Sequence, residues 1–476
     1  MLPRRRVLGY NAGPMAARKV HIKSFGCQMN KLDTGLVRSA LAEAGFDLTD
    51  CVRDADVVLI NTCSVREHAE QRVWSHLGQL RHLKASRPDL VVGVLGCMAQ
   101  RLGDRLLGHP GVDLVCGPAQ IPKIAEMCSQ ALTLRAKRLE VTASIRKEAP
   151  DRPDLEAFES NHGQEDMPGQ AYVRVMRGCD RFCSYCVVPY VRGPESSRPP
   201  GAILEQVRRL ADRGIRQVTL LGQTVNAYRY TAGERTFCLA DLLEMASDVE
   251  GIEWIRFVTS YPSEDFLEPI LQAMARLPKV CPHLHIPAQS GSDRILAAMN
   301  RHYTAHQYLA LLDRARSTVA DLAVAGDFIV GFPGETDEDF RQTMELVLRA
   351  RYKNCYIFQY SPRPGTPADR RLEDSVPQEV KQQRNAALLA VQEQISGELA
   401  QAFQGQEVRV LVEGPSKRAD RNPMDGQGHP QLVGRTAMDW ITVFNGPPSL
   451  AGQFAQVRVE RVSPLTLFGI LCGSQG

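Results

Sequence analysis

Cys179-Asp180-Arg181-Phe182-Cys183-Ser184-Tyr185-Cys186 follows directly on the apolar run Tyr172–Met176. The run reads as a strand, and the turn after it carries three cysteines in a CxxxCxxC spacing. Three thiolates can hold a [4Fe–4S] cluster and leave one iron without a protein ligand. In radical enzymes such an open iron chelates the amino and carboxylate groups of S-adenosylmethionine. One electron passed to the sulfonium then yields a 5′-deoxyadenosyl radical. A structural zinc site needs a fourth Cys or His nearby, and none follows within thirty residues.

Five further strand-like runs follow: Gln217–Leu221, Ile255–Thr259, Leu284–Pro287, Phe328–Val330 and Tyr356–Gln359. Helical patterns such as Ala202–Arg213 and Asp339–Arg349 separate them. Six βα units predict an incomplete parallel barrel, with its active site at the C-terminal ends of the strands. Gln223, Asn226, Gln289 and Ser290 lie just after strands and are candidates for cofactor contacts. The Gly-rich stretch Gly326–Glu335 lacks the Gly-Lys-Ser/Thr of a phosphate loop and reads as a backbone cradle for the cofactor's adenine. His283 and His285 alternate on one strand face and read as core histidines.

Towards the N-terminus one pattern occurs three times: a strand, a tight turn bearing a cysteine, then a helix. Val20–Phe25 leads to Gly26-Cys27, Asp56–Ile60 to Asn61-Thr62-Cys63, and Val91–Leu95 to Gly96-Cys97. Alternating strands and helices predict a parallel sheet, whose C-terminal strand ends share one edge. Cys27, Cys63 and Cys97 then converge although they lie 36 and 34 residues apart, and they are candidates for a second [4Fe–4S] cluster. Cys116 competes as a fourth ligand but reads better as a spare thiol, and Cys51, Cys128, Cys238, Cys281, Cys355 and Cys472 show no ligand spacing.

Between these regions the charged stretch 129–168, with Arg152-Pro153-Asp154 and Asn161–Asp166, reads as linker. Arg174, Arg177, Arg181, Arg192 and Arg198 against Asp180 and Glu195 give a local balance of +3, able to hold phosphates or to form a solvated face. After a long polar helix, Pro377–Phe403, the runs Glu407–Val412, Ile441–Phe444 and Gln456–Arg461 predict a small OB-like β-barrel. From 404 to 476 seven Lys/Arg face six Asp/Glu, so any RNA binding there rests on fold and not on charge.

The chain of 476 residues is 43% hydrophobic and 23% charged, as soluble globular proteins are. Its apolar runs are too short to cross a bilayer. The net charge of +3 and pI of about 8.2 permit a nucleic-acid partner. Thirteen cysteines, an odd number, suit a reducing compartment where thiols serve metal, so a cytoplasmic location is expected. Met1–Arg6 carries arginines but no apolar segment follows. It reads as a tail, or as an early start with Met15 as the true one.

Together these motifs resemble the methylthiotransferase family of radical S-adenosylmethionine enzymes, from about Lys19 to Leu471. Ser24–Asn30, Asn61-Thr62-Cys63 and Gly96-Cys97 are similar to the family's three auxiliary-cluster motifs, and the C-terminal barrel resembles its TRAM domain, which contacts RNA. Cys183–Gly193, Gly222–Tyr228 and Tyr360–Thr366 resemble the MiaB branch, with Thr224 where Asn is more usual and Ala288 in place of Val. The resemblance implies an α/β chain of three parts: an N-terminal domain over 18–134, a radical core over 165–400 and a TRAM domain over 403–472. It implies transfer of a methylthio group to carbon 2 of N6-isopentenyl(dimethylallyl)adenosine beside the tRNA anticodon. Two S-adenosylmethionine molecules, two clusters, an electron donor and a sulfur source would be used by a monomeric enzyme. Methylthiolation of threonylcarbamoyladenosine tRNA or of a ribosomal-protein aspartate is the nearest alternative. A non-catalytic iron–sulfur RNA-binding protein is the alternative from another class.

Overall fold

The structure, a computed structural model, describes residues 18–64, 67–143, 145–147, 152–161, 167–417, 424, 426 and 428–472. The N-terminal tail and its alternative start at Met15 lie outside them.

The first region is a six-stranded, wholly parallel sheet. Its strands are β1 (Lys19–Ser24), β2 (Asp47–Leu48), β3 (Val57–Thr62), β4 (Val91–Gly96), β5 (Leu114–Cys116) and β6 (Arg138–Glu140), in the order β2-β1-β3-β4-β5-β6. Every residue of β3 and β4 is buried, as a parallel strand covered on both faces requires. Helices α1 (Gln28–Glu43), α2 (Glu67–Ser86), α3 (Cys97–Leu107) and α4 (Ile124–Leu134) supply the cover. Leu32, Leu36 and Val37 of α1 pack with Ile124 and Met127 of α4 on one face. Val73 and Leu77 of α2 pack with Met98 and Leu106 of α3 on the other. Gly93 sits where the sheet has no room, since a Cβ there would meet Leu59 Cδ2 at 2.6 Å.

The stretch 129–168 is not a linker. Helix α4 runs on to Leu134, β6 pairs in parallel with β5, and Pro153–Asn161 forms helix α5. Glu156 and Glu159 of α5 pair with arginines of the second region, as described below. The motif Asn161–Asp166 falls, beyond Asn161, outside the described residues.

The second region opens with β7 (Gln170–Arg174). A short antiparallel pair, β8 (Met176–Arg177) and β9 (Ser196–Ser197), then brackets the cysteine loop and the one-turn helix α6 (Val188–Val191). Strand β10 (Gln217–Leu221) follows, then a hairpin of β11 (Arg229–Ala232) and β12 (Arg235–Cys238), then β13 (Trp254–Val258), β14 (His283–His285), β15 (Ala323–Val330) and β16 (Asn354–Gln359). Strands β7, β10 and β13 pair in parallel, as do β14, β15 and β16, and the bridge Ile255↔Val280 joins the two groups. Six parallel strands make the expected partial barrel, with β7 and β16 as its two ends. Strand β15 starts five residues before the expected Phe328, at Ala323. Its small residues admit a neighbour: the Tyr352 ring packs where a Cβ on Gly326 would stand, 3.0 Å away.

The chain ends in a closed barrel of β17 (Glu407–Pro415), β18 (Gln431–Thr436), β19 (Ile441–Asn445), β20 (Phe454–Ser463) and β21 (Thr466–Leu471), in the order β17-β18-β19-β21-β20. Five strands replace the three legible ones. Gly434 and Gly469 interrupt the apolar pattern of β18 and β21, and neighbouring carbonyls, Leu411 O and Arg458 O, fill their Cβ positions. Among the described residues no helix is long and apolar enough to cross a membrane.

Candidate active site

The three N-terminal cysteines stand at the ends of β1, β3 and β4. Cys27 caps α1 and Cys97 opens α3. At Gly26 (φ +133°) a Cβ would meet Cys63 Cβ at 2.5 Å, so glycine lets the first turn close on the second. Two asparagines stitch the turns together. Asn30 Nδ2 donates to Thr62 O at 2.8 Å and to Asn61 Oδ1 at 3.1 Å, while Asn61 Nδ2 donates to Asn30 O at 2.9 Å. A hydrogen bond from Cys63 pulls the Cys27 thiol down to about 6 against the effect of burial, helped by Arg192 and by the amides of Met29 and Asn30. Burial pushes the Cys97 thiol up, and Arg192 opposes it.

The cysteines of the quoted loop sit at the C-terminal end of β7. Gly178 (φ +70°) lies against the Pro194 and Gly193 carbonyls, leaving no space for a side chain. Cys179 N donates to Gly193 O at 3.1 Å, Ser184 N to Met299 O at 2.9 Å and Asn300 Nδ2 to Phe182 O at 3.0 Å. Phe182 is held at φ +48°, a conformation a bulky residue keeps only when its surroundings impose it. Arg301 lies between the Tyr261 and Tyr303 rings, 4.5 and 5.0 Å from their centroids, and donates to Pro287 O at 2.8 Å and to Cys183 Sγ at 3.5 Å. The Thr224 hydroxyl stands 3.3 Å from Cys179 Sγ. Burial raises the Cys179 and Cys186 thiols, with the neighbouring cysteines adding to it.

The two groups are physically joined. Val187 and Val191, just after Cys186, pack on Cys97. Arg192 donates through Nε to Cys97 Sγ at 3.3 Å and through its other arm to Asp33 of α1 at 2.9 Å. Arg174 shares Asp33 and reaches Glu159 of α5 at 3.1 Å. Glu159 also meets Arg177 at 2.8 Å and Arg198 at 3.4 Å. Burial raises the Glu159 carboxyl, but these three guanidinium groups outweigh it and hold it at about 2. The arginines at 174, 177, 192 and 198 are therefore neither a phosphate cradle nor a solvated face; they are the cationic half of a buried network. Arg181 lies 4.4 Å from the Tyr261 ring centroid.

The other sequence candidates divide. Gln223 lines a cavity of about 50 Å³ with Arg174, Arg177 and Arg192, and its Oε1 is buried without a hydrogen-bond partner. Asn226 spends its amide on Tyr261, donating to its carbonyl at 2.7 Å and accepting from its N–H at 2.8 Å. Ser290 meets the Thr343 hydroxyl at 3.3 Å. Gln289, at φ +71°, makes a bridge to β15. In the Gly-rich stretch Glu335 caps Gly331 N at 2.6 Å and pairs with Arg384 at 2.8 Å. Cys116 is buried with Cys128 in the apolar core between the sheet and its helices, where a spare thiol packs. His283 is buried and pulled down to about 3 by desolvation, whereas His285 meets Asp327 at 3.4 Å. Asp33, Glu159 and Arg301 escaped sequence reasoning, and Thr224 stood out there only as a departure from the usual Asn. Their partners lie far along the chain, and only the excess of arginines hinted at them.

All thirteen cysteines are free. Among the described residues no three His, Cys, Asp or Glu side chains stand close enough to hold a single metal ion. The two trios could instead hold a polynuclear cluster, which spaces its thiolates more widely. Their donor set is all sulfur, as clusters take, and a bound metal deprotonates a raised thiol outright.

Family models match in sequence along the chain. Residues 19–117 match the uncharacterized protein family UPF0004, 173–347 the Radical SAM superfamily, and 401–472 the TRAM domain. A tRNA-2-methylthio-N(6)-dimethylallyladenosine synthase of Rhodopirellula baltica is 44% identical over 458 residues, 95% of each chain. Its namesake in Burkholderia multivorans is 42% identical over 95% of this chain and 97% of its own. Among solved structures, the radical S-adenosylmethionine methyltransferase TsrM of Kitasatospora setae shares the fold at 16% identity, with a TM-score of 0.50 over 74% of this chain and 75% of its own.

Proposed function

The chain belongs to the family of tRNA-2-methylthio-N(6)-dimethylallyladenosine synthases, and from that premise we propose that it transfers a methylthio group to carbon 2 of N6-dimethylallyladenosine beside the tRNA anticodon. Cys179, Cys183 and Cys186 hold one [4Fe–4S] cluster, and Cys27, Cys63 and Cys97 hold the other. With S-adenosylmethionine, the bound clusters supply the one-electron chemistry that an inert aromatic C–H needs and that no side-chain acid or base provides.

The chain's own residues fix the geometry. Arg301, clamped between two tyrosine rings, holds the Cys183 turn against Pro287. Thr224 holds Cys179 from the end of β10. The run Cys186–Arg192 keeps the two cysteine groups at a set separation, so one base can meet both. Gln223, with its free buried carbonyl oxygen, faces a ligand or the substrate. The C-terminal barrel holds the RNA. The enzyme works as a cytoplasmic monomer, drawing on a separate electron donor and sulfur source.

The observation that carries this reading is the meeting of the two cysteine trios through Val187, Val191 and Arg192. The test is anaerobic. The protein is loaded with iron and sulfide, then given dithionite, S-adenosylmethionine and tRNA bearing dimethylallyladenosine, and the digested RNA is analysed by mass spectrometry. A 2-methylthio nucleoside is expected. Formation of 5′-deoxyadenosine with unmodified RNA would leave the radical core standing and overturn the substrate. Neither product, from protein carrying about eight irons, would overturn the enzyme reading.

A further inference from the structure

We propose that Arg192 is a positioning residue for the second cluster: it sets that cluster's reduction potential, and Asp33 opposes it. The inference rests on the cluster reading above, but it concerns residues outside both cysteine motifs. The Arg192 side chain is only 6% exposed and Asp33 only 1%. The guanidinium donates through Nε to Cys97 Sγ at 3.3 Å and through Nη2 to Asp33 at 2.9 Å. Asp33 is shared with Arg174, which continues to Glu159. Two opposite charges thus stand beside one ligand sulfur in a site from which water is excluded, where charge acts with little screening.

Reducing a cluster adds a negative charge. A buried cation and a hydrogen bond to a ligand sulfur favour the reduced form and raise the potential; a buried carboxylate lowers it. The radical-loop cluster has its own donor to sulfur in Arg301, on Cys183. Arg192 differs because it belongs to the chain segment of one cysteine group and touches a cysteine of the other. Its sequence position, six residues after Cys186, ties the electronics of the second cluster to the loop of the first.

The test uses the full chain with Cys179, Cys183 and Cys186 changed to alanine, so that only the second cluster loads. Iron is counted, and the cluster is titrated against electrode potential by electron paramagnetic resonance. Arg192→Gln is expected to lower the ratio of reduced to oxidised cluster about tenfold at a fixed potential, equivalent to about 59 mV for a one-electron couple. Arg192→Lys keeps the charge but not the two-armed geometry, and should shift the ratio the same way by less. Asp33→Asn should shift it the opposite way. A structural role alone predicts no such reversal of sign. Should Arg192→Gln fail to fold, Arg192→Lys and Asp33→Asn carry the test. Normal iron with an unshifted ratio in these variants overturns this inference alone. Absence of iron from the triple-alanine protein overturns the cluster reading, and this inference with it.

Discussion

The two cysteine trios are built in opposite ways. Cys179, Cys183 and Cys186 come from one loop of eight residues, turned by a left-handed Phe182 and held by bonds to Gly193, Met299 and Asn300. Cys27, Cys63 and Cys97 come from three strands, and nothing brings them together until β1, β3 and β4 have paired. The first site depends on turn geometry. The second depends on a sheet, and on an arginine lent by the first. A local site can be damaged locally; an assembled one can be lost through any element that sets strand order.

The largest effects should come from the cysteines proposed as cluster ligands. Cys179→Ala should abolish both 5′-deoxyadenosine and methylthio product, whereas Cys63→Ala should abolish the product and spare 5′-deoxyadenosine. Chromatography of the two products separates the sites, and loss of both in Cys63→Ala would break the comparison.

Next come the glycines. Gly96→Ala (φ +91°) puts a Cβ against Thr62 O and Asn61, and Gly178→Ala (φ +70°) puts one against Pro194. Each should cost about 2–4 kcal/mol from strain and overlap. Gly178→Ala should remove about four irons and leave the other cluster's spectrum, while Gly96→Ala should do the reverse and also lower the melting temperature, because the sheet itself is disturbed.

Glu159→Gln strikes the network between the regions. Leaving three arginines short of a buried partner should cost about 3–5 kcal/mol in denaturant titration at neutral pH. The Glu159 carboxyl is depressed from 4.5 to about 2. Its contribution is therefore fully present above about pH 4.5 and is lost as pH falls towards about 2, so the gap between wild type and variant should close over that range. A gap independent of pH would assign the loss to packing.

The smallest effect should be Arg409→Ala. Arg409 pairs with Glu253 and lies 3.8 Å from the Phe454 ring centroid, but it is 43% exposed. Less than about 1 kcal/mol is expected in thermal unfolding.

The sequence made the strands legible because apolar runs ending at Gly-Cys or Asn-Thr-Cys mark both a strand and its turn. It made both trios legible for the same reason. It did not reveal α5 or β6, whose apolar residues are few: α5 buries Leu155 and Phe158, β6 offers only Leu139, and Glu159 is buried by arginines, not by leucines. It also misjudged the arginines. A run of positive charge is visible in sequence, but one of the two acids that answer Arg174, Asp33, lies 141 residues away. Asn226 and Ser290 stand just after strands, as ligand-binding residues do, yet their polar atoms lock loops. Position along a strand does not say whether a polar group already has a partner.

The packing of α1 against the barrel has a consequence for how such a protein can be rebuilt. Leu221 of β10 is buried in the same apolar core as Leu32 and Leu36, with Tyr172 of β7 and Val258 of β13 against it. A seam drawn between residues 134 and 165 divides the gene but not this core, nor the acid–arginine network that runs beside it. Exchange of the first portion between relatives should therefore yield stable chimaeras only when α1, α5 and the first strands of the barrel are inherited as one block.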